Sequence, residues 1–393
     1  MKRRLYTGRD VSRAQSIEEL RGMARRRVPN FCFEYVEGGS EDEATLRRNR
    51  EVFSNIAFQP RTLVDVTVRN QRRRLLGEEI ASPFLVGPTG FSGLLSREGD
   101  VSMARAAASA GIPFVLTNVS TTSLEDVVRR AGANARVWMQ VYMYRTREFV
   151  EKIARRAQDA GIGTLVLTTD SAIYGKREWD VRNFSGPLSL NWRNKIDVIR
   201  HPRWIFDILF PHGFPHFANV GDLLPPGQTS VRGAASSMIG QSLDPSLCWR
   251  DVEWLRGIWP GKLVIKGIMN AQDAARAISA GADGIVLSNH GGRQLDGALS
   301  TMDVLPEVVA EVKGRLAVML DGGFRRGSDI VKAVALGADA VLVGRATTYG
   351  LAAGGQAGAE RAIEILRSEI DRVLGLLGCP DIAQVDQTYL RSV

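Results

Sequence analysis

Ala280-Gly281-Ala282-Asp283, running into Gly284-Ile285-Val286-Leu287-Ser288-Asn289-His290-Gly291-Gly292, is the stretch whose reading decides the fold. A helix closes on a small-residue turn, where glycine supplies the C-cap. A short apolar run follows, of the kind a strand buried on both faces shows, and polar residues crowd its far end. The same order recurs three more times. Ala110-Gly111-Ile112-Pro113 leads into FVLTN, Ala160-Gly161-Ile162-Gly163 into TLVLTTD, and Leu336-Gly337-Ala338-Asp339 into AVLVGR. Apolar runs beginning at Phe84 (FLVGPTG), Val137 (VWMQVYM), Leu263 (LVIKG) and Leu316 (LAVMLDGG) bring the strands to eight, with helical patterns between most of them.

Eight such repeats favour a closed TIM (β/α)8 barrel over an open doubly wound sheet, which needs no eighth strand. Nothing resembles a GxGxxG opening. The chain of 393 residues fits one barrel with additions. The expected organisation is a single domain over 1–393: an N-terminal extension at 1–80 forming helices and a small β element that closes one end, barrel over 81–184 and 249–377, and a long insertion after strand four at 185–248.

Composition is that of a globular enzyme, with 44% hydrophobic and 24% charged residues. Cys32, Cys248 and Cys379 are far apart and match no metal spacing, so no metal and a reducing cytoplasm are expected. No apolar run reaches the ~18 residues of a membrane span. The net charge of +8 gathers in Arg25-Arg26-Arg27, Arg47-Arg48 and Arg72-Arg73-Arg74. Such clusters suit solvated helix faces or an anionic membrane surface, and no nucleic-acid motif accompanies them.

Polar residues collect where the strands end: Thr89, Thr117, Gln140 with Tyr142, Thr168 with Asp170, Lys266, Ser288 with His290, Asp321 and Arg345. In a barrel these ends share one rim, so residues spread over most of the chain converge on one pocket. A structural barrel has no reason to gather Lys, His, Asp and Arg on one face. Within SNHGGRQLD (288–296), a sharp turn at two glycines sets an imidazole and, three residues on, a guanidinium on that rim. Histidine takes a proton near neutral pH, and arginine holds a carboxylate bidentately. Asp321-Gly322-Gly323-Phe324-Arg325-Arg326-Gly327 and Val343-Gly344-Arg345 occupy the loops after strands seven and eight. There, glycine N–H groups, a helix N-terminus and arginines suit a phosphate.

SNHGGRQLD and GFRRGSDIVKAVALGA (323–338) resemble the FMN-dependent 2-hydroxy acid oxidase and dehydrogenase family over nearly the whole chain. Four segments point to its mandelate-oxidising branch: GPTG (87–90), Gly175-Lys176-Arg177-Glu178, HPRW (201–204) and GCPDI (378–382). The resemblance implies FMN as cofactor and oxidation of an (S)-2-hydroxy acid, mandelate or a substituted mandelate, to the 2-oxo acid. Quinone or oxygen would be the electron acceptor. It implies His290 as base, Asp170 as support for its imidazolium, Arg293, Arg177 and Tyr35 at the substrate carboxylate, and Tyr142 hydrogen-bonded to substrate. Lys266 would face flavin N1/O2. Thr89, Gly90, Thr117, Gln140, Thr168 and Ser288 would contact the ring or ribityl chain, and Asp321, Gly323, Arg325, Gly344 and Arg345 would hold ribityl and phosphate.

Two positions depart from the pattern: Thr117 stands where Ser is expected, and Phe33 replaces the first Tyr of a YDY pattern while Tyr35 is kept. An L-lactate dehydrogenase or oxidase of the same family, and a non-redox phosphate-binding barrel, are the alternatives. The insertion mixes Trp192, Trp204, Phe206, Phe210, Phe214 and Phe217 with Arg193, Lys195, Arg200 and Arg203. That mixture suits a lid, an oligomer contact or an interfacial membrane segment. The resemblance adds a homotetramer, and the cysteines, charge and insertion together suggest a cytoplasmic location, peripheral on the inner face of the cell membrane if the insertion meets lipid.

Overall fold

The computed structural model describes residues 5–186, 189–210, 213–223 and 241–393. The eight apolar runs form eight parallel strands: β1 (Phe84–Val86), β2 (Phe114–Thr117), β3 (Val137–Tyr142), β4 (Thr164–Thr168), β5 (Lys262–Ile268), β6 (Gly284–Leu287), β7 (Ala317–Leu320) and β8 (Ala340–Val343). They pair in chain order and close β8 on β1, with Val341 opposite Phe84. A helix follows each strand: α1 (Gly99–Ser109), α2 (Leu124–Ala131), α3 (Arg147–Asp159), α4 (Trp249–Ile258), α5 (Ala271–Ser279), α6 (Thr301–Val312), α7 (Gly327–Ala335) and α8 (Arg345–Leu377). The expected TIM barrel is the observed fold.

Alternate strand residues face inward and fill the barrel. Leu85, Val115, Trp138, Val166, Val264, Val286, Met319, Ala340 and Leu342 form one buried cluster, while their strand neighbours pack against the helices in a second, larger one. The two-sided burial is why the strands read as unbroken apolar runs. The hairpin Arg73–Leu75 and Glu78–Ile80 plugs the N-terminal end, its Leu75 and Ile80 joining the interior cluster.

The extension does more than close one end. Helix Ile17–Arg27, N-capped by Ser16 Oγ accepting from Glu19 N at 3.2 Å, packs along α8. Helix Ala44–Glu51 crosses the opposite, C-terminal end, where Asn49 and Asn289 exchange amide hydrogen bonds at 2.9 and 2.8 Å.

In the insertion, helix Trp192–Ile199 is followed by a turn at Pro202–Trp204 and a π-helical turn at Ile205–Leu209. Residues 187–188, 211–212 and 224–240 of the insertion lie outside the described residues. Trp204 and Phe217 are buried, with Trp204 Nε1 donating to Leu94 O at 2.7 Å. Trp192, Ile199, Phe206 and Phe210 are exposed.

Candidate active site

Beyond β6 the chain turns through three consecutive left-handed residues, His290, Gly291 and Gly292, at φ 58, 64 and 76°. Glycine takes this conformation freely, whereas histidine pays strain of order 1 kcal/mol or more that the surroundings must impose. They impose it through hydrogen bonds. His290 N donates to Ser288 Oγ at 3.0 Å and Gly292 N to Asn289 Oδ1 at 3.2 Å. Gln294 Nε2 donates to Asp170 O and Ile173 O at 2.8 and 3.0 Å, and Gln294 Oε1 accepts from Gly175 N at 2.9 Å. A Cβ on Gly292 would lie 2.7 Å from Leu46 N, so the crossing helix fixes the turn from outside.

This turn sets His290 Nδ1 2.9 Å from Asp170 Oδ1. Asp170 follows β4, and it approaches because β5 bulges past Lys266 at Gly267 (φ 117°), where a Cβ would sit 2.8 Å from Asp170 Cβ. The strand therefore runs beyond Lys266, to Ile268, instead of ending on it.

Burial opposes the Asp170 charge, but the facing charges of His290 and Lys266 and hydrogen bonds from His290 and Ser171 hold its pKa down at about 2. Burial likewise disfavours the imidazolium. It outweighs the Asp170 carboxylate, and Lys266 adds to it, so His290 lies below its ordinary 6.5. At neutral pH the pair is a carboxylate accepting Nδ1–H from a neutral imidazole, which leaves the Nε2 lone pair for a proton.

His290 borders a cavity of about 1280 Å³, including its open mouth, at the C-terminal ends of the strands. Beneath it, buried Lys266 Nζ donates to Ser288 Oγ at 2.8 Å and lies 3.3 Å from Asp321 Oδ2, while Ser288 Oγ donates to Asp321 at 2.8 Å. Asp321 and Asp170 raise the Lys266 pKa against its burial, so the ammonium is a fixed charge. Thr89, Gly90, Thr117, Gln140 and Thr168 line the cavity near it. Gln140 Nε2 donates to Thr168 Oγ1 at 2.9 Å, and Thr117 Oγ1 accepts from Val119 N at 3.2 Å, so the threonine keeps the hydroxyl in use. Gly323, Arg325, Gly344 and Arg345 line the other end. The Arg345 guanidinium donates to Val36 O, Gly291 O and Gly38 O at 2.7–2.8 Å, and burial followed by repulsion from Arg293 brings its pKa down to about 9.

At the mouth, Arg293 Nη1 donates to Tyr35 O and Gly38 O, both at 2.7 Å, and its Cζ sits 5.0 Å over the Tyr35 ring. Arg177 Nη1 donates to Tyr174 OH at 2.9 Å and its Nε to Arg293 O at 3.3 Å. Tyr142 lies parallel to the His290 ring, centroids 6.5 Å apart. All the residues singled out in the sequence thus converge. Sixteen border the cavity, while Asp170 and Ser288 stand behind His290 and Lys266.

The sequence reading missed Tyr174, Phe91, Val119 and Leu243, and named Phe217 only as one of the insertion's aromatics; with Phe91, Val119 and Leu243 it forms an apolar wall of the cavity. Phe91 follows the quoted Gly90, and its ring packs on Tyr35 at 4.7 Å and Phe217 at 4.9 Å. That adjacency was the available signal for Phe91. Phe217 and Leu243 come from the insertion, where no periodicity marks which aromatic turns inward.

The model of the FMN-dependent dehydrogenase family matches residues 24–392. The chain belongs to this family. It is 45% identical to the (S)-mandelate dehydrogenase of Pseudomonas putida over 96% of this chain and 94% of that one. It is 40% identical to an L-lactate dehydrogenase of Chromohalobacter salexigens, covering 95% of this chain and 94% of the relative. A crystal structure of a monotopic membrane protein, (S)-mandelate dehydrogenase, superposes with a TM-score of 0.91 at 43% identity, covering 97% of this chain and all of that one. Among the described residues no helix is long and apolar enough to cross a membrane.

As an FMN-dependent dehydrogenase the chain uses FMN, and its cavity fits that group. Thr89 Oγ1 and Gln140 Oε1 are buried without a hydrogen-bond partner, although both residues line the cavity. Polar atoms so placed are costly unless a ligand completes them. A flavin offers such edges, and its phosphate matches the arginine- and glycine-lined end.

Proposed function

We propose that the chain oxidises an (S)-2-hydroxy acid bearing an aryl group, (S)-mandelate or a ring-substituted mandelate, to the 2-oxo acid. One observation carries this reading: a cavity that joins an imidazole–carboxylate pair to two buried guanidiniums beneath an aromatic wall.

Lys266, Thr89, Gly90, Thr117, Gln140, Thr168 and Ser288 would hold the flavin ring and ribityl chain. Asp321, Gly323, Arg325, Gly344 and Arg345 would hold ribityl and phosphate. When bound, FMN supplies the acceptor for two electrons. Arg293 and Arg177 take the substrate carboxylate, with Tyr35 above it and Tyr142 hydrogen-bonding the substrate. His290 Nε2 accepts the proton that leaves the substrate, and Asp170, ionised throughout, stabilises the resulting imidazolium through Nδ1. Phe91, Val119, Phe217 and Leu243 exclude water and receive the aryl ring. Their size favours mandelate over the methyl group of lactate.

The test is a spectrum. FMN-loaded enzyme mixed anaerobically with (S)-mandelate should bleach, with kcat/KM at least about tenfold above that for L-lactate, the scale of burying one added apolar group. Faster turnover of lactate would make this a lactate dehydrogenase, and a flavin untouched by either acid would end the reading.

We propose further that the insertion seats the enzyme on a membrane surface, where a quinone would be at hand as acceptor. Support comes from the exposed Phe206 and Phe210, 63% and 75% accessible on a turn anchored by buried Trp204 and Ile208 and flanked by Arg200 and Arg203. Anionic phospholipid vesicles should sediment the wild type. Phe206→Glu with Phe210→Glu should stay in the supernatant while still reducing a water-soluble dye. Equal sedimentation of the two proteins would count against this surface.

A further inference from the structure

Resting on the reading of Arg177 and Arg293 as the carboxylate site, we infer that Asp180 is a built-in counter-ion: a positioning residue that keeps this site charged and aimed while limiting its grip on carboxylates. The short helix Glu178–Arg182 directly follows Arg177. Its Glu178 pairs with Lys176 at 3.2 Å and Arg182 at 2.9 Å. Asp180 turns the other way, bringing Oδ2 within 3.8 Å of Arg293 Nη2.

That distance is informative because it exceeds a hydrogen bond. Among the described residues Asp180 accepts no hydrogen bond, and Arg293 Nη2, buried, donates none. Arg293 Nη1, by contrast, is committed to two carbonyls. A buried donor without a partner therefore faces a half-buried carboxylate that does not close on it, so Nη2 remains available to an incoming oxygen.

Two guanidiniums in one desolvated pocket destabilise each other. Burial, followed by Arg177, pulls the Arg293 pKa down, and Asp180 opposes this. Burial raises the Asp180 pKa, with Arg293 and Arg177 pulling back. A carboxylate set just beyond contact offsets the repulsion without consuming the donor. It also repels any ligand carboxylate, product included, so the same charge that preserves the site helps to empty it.

The experiment uses FMN-loaded wild type, Asp180→Asn and Asp180→Glu, with Asp180→Ser as a second charge-removing variant should Asp180→Asn not fold. The probe is phenylacetate, a carboxylate with no 2-hydroxyl to oxidise, titrated by its perturbation of flavin absorbance. Neutral phenylacetamide serves as control.

Removing a charge one ligand-width away in a partly desolvated site should tighten phenylacetate by about tenfold. KM for mandelate should fall in step, and kcat should not rise. Phenylacetamide should bind all three proteins alike, and Asp180→Glu should restore the wild-type Kd. An unchanged or weaker Kd in Asp180→Asn, or an equal change with phenylacetamide, overturns the inference. If the wild type itself prefers phenylacetamide, the assignment of the two arginines fails instead.

Discussion

His290→Asn should retain FMN and the fold yet reduce substrate-driven bleaching about 10²- to 10⁴-fold, the usual worth of a positioned base. Asparagine is chosen because position 290 holds φ 58°, a conformation that Asn tolerates better than most residues. Its amide can still donate to Asp170, whereas it cannot accept a proton near neutral pH. The cofactor cluster should survive, since the contact from position 290 to Ser288 Oγ is made by the backbone N–H. Stopped-flow absorbance under anaerobic conditions measures the effect directly. Bleaching within tenfold of wild type would remove His290 from the role of base.

The same assignment fixes the sign of the pH response. Only neutral His290 can accept the proton, and burial places its pKa below 6.5 in the free enzyme. kcat/KM should therefore rise with pH through that lower value and be level above it, until another group intervenes. Lys266 and Arg177 reinforce the depression from their own sides, whereas Asp170 opposes it. In His290→Asn the acid limb should vanish along with most of the rate.

The barrel was legible because its strands are buried on both faces, so each reads as an apolar run, four of them announced by a glycine turn, and the count of eight favours closure over an open sheet. The site was legible for a related reason: strand C-termini share a rim, so Lys266, His290 and Asp321 could be brought together from the sequence alone. What the sequence conceals is whatever depends on a side chain's final direction. Asp180 and Glu178 sit two residues apart in one charged stretch, yet one faces Arg293 and the other pairs with Lys176 and Arg182. Asn49 lies in an Arg-rich helix with no outward sign that its amide locks Asn289 from the far side of the rim. The bulge at Gly267 is equally hidden, because it answers to the approach of Asp170 and not to any local turn signal.

Lys266→Met should be the most damaging change at the cofactor end. The lysine is 3% exposed, yet its ammonium is held by Ser288 Oγ and Asp321 while it borders the cavity. Methionine keeps most of the volume and removes the charge, which leaves the half-buried Asp321 with Ser288 as its remaining side-chain donor. Stranding one partner of a buried pair costs about 3–5 kcal/mol. Part of that should appear as a lower melting temperature and part as FMN lost during purification. For flavin that remains, a fixed cation no longer opposes the negative charge gained on reduction, so bleaching by mandelate should slow by about 10²- to 10³-fold, comparable to losing one preorganised donor. Lys266→Arg separates the two effects: it restores the charge but not the fit, so it should recover reduction rate more than flavin affinity. A Lys266→Met protein that is fully yellow and bleaches at the wild-type rate would mean that this buried charge serves the barrel and not the flavin.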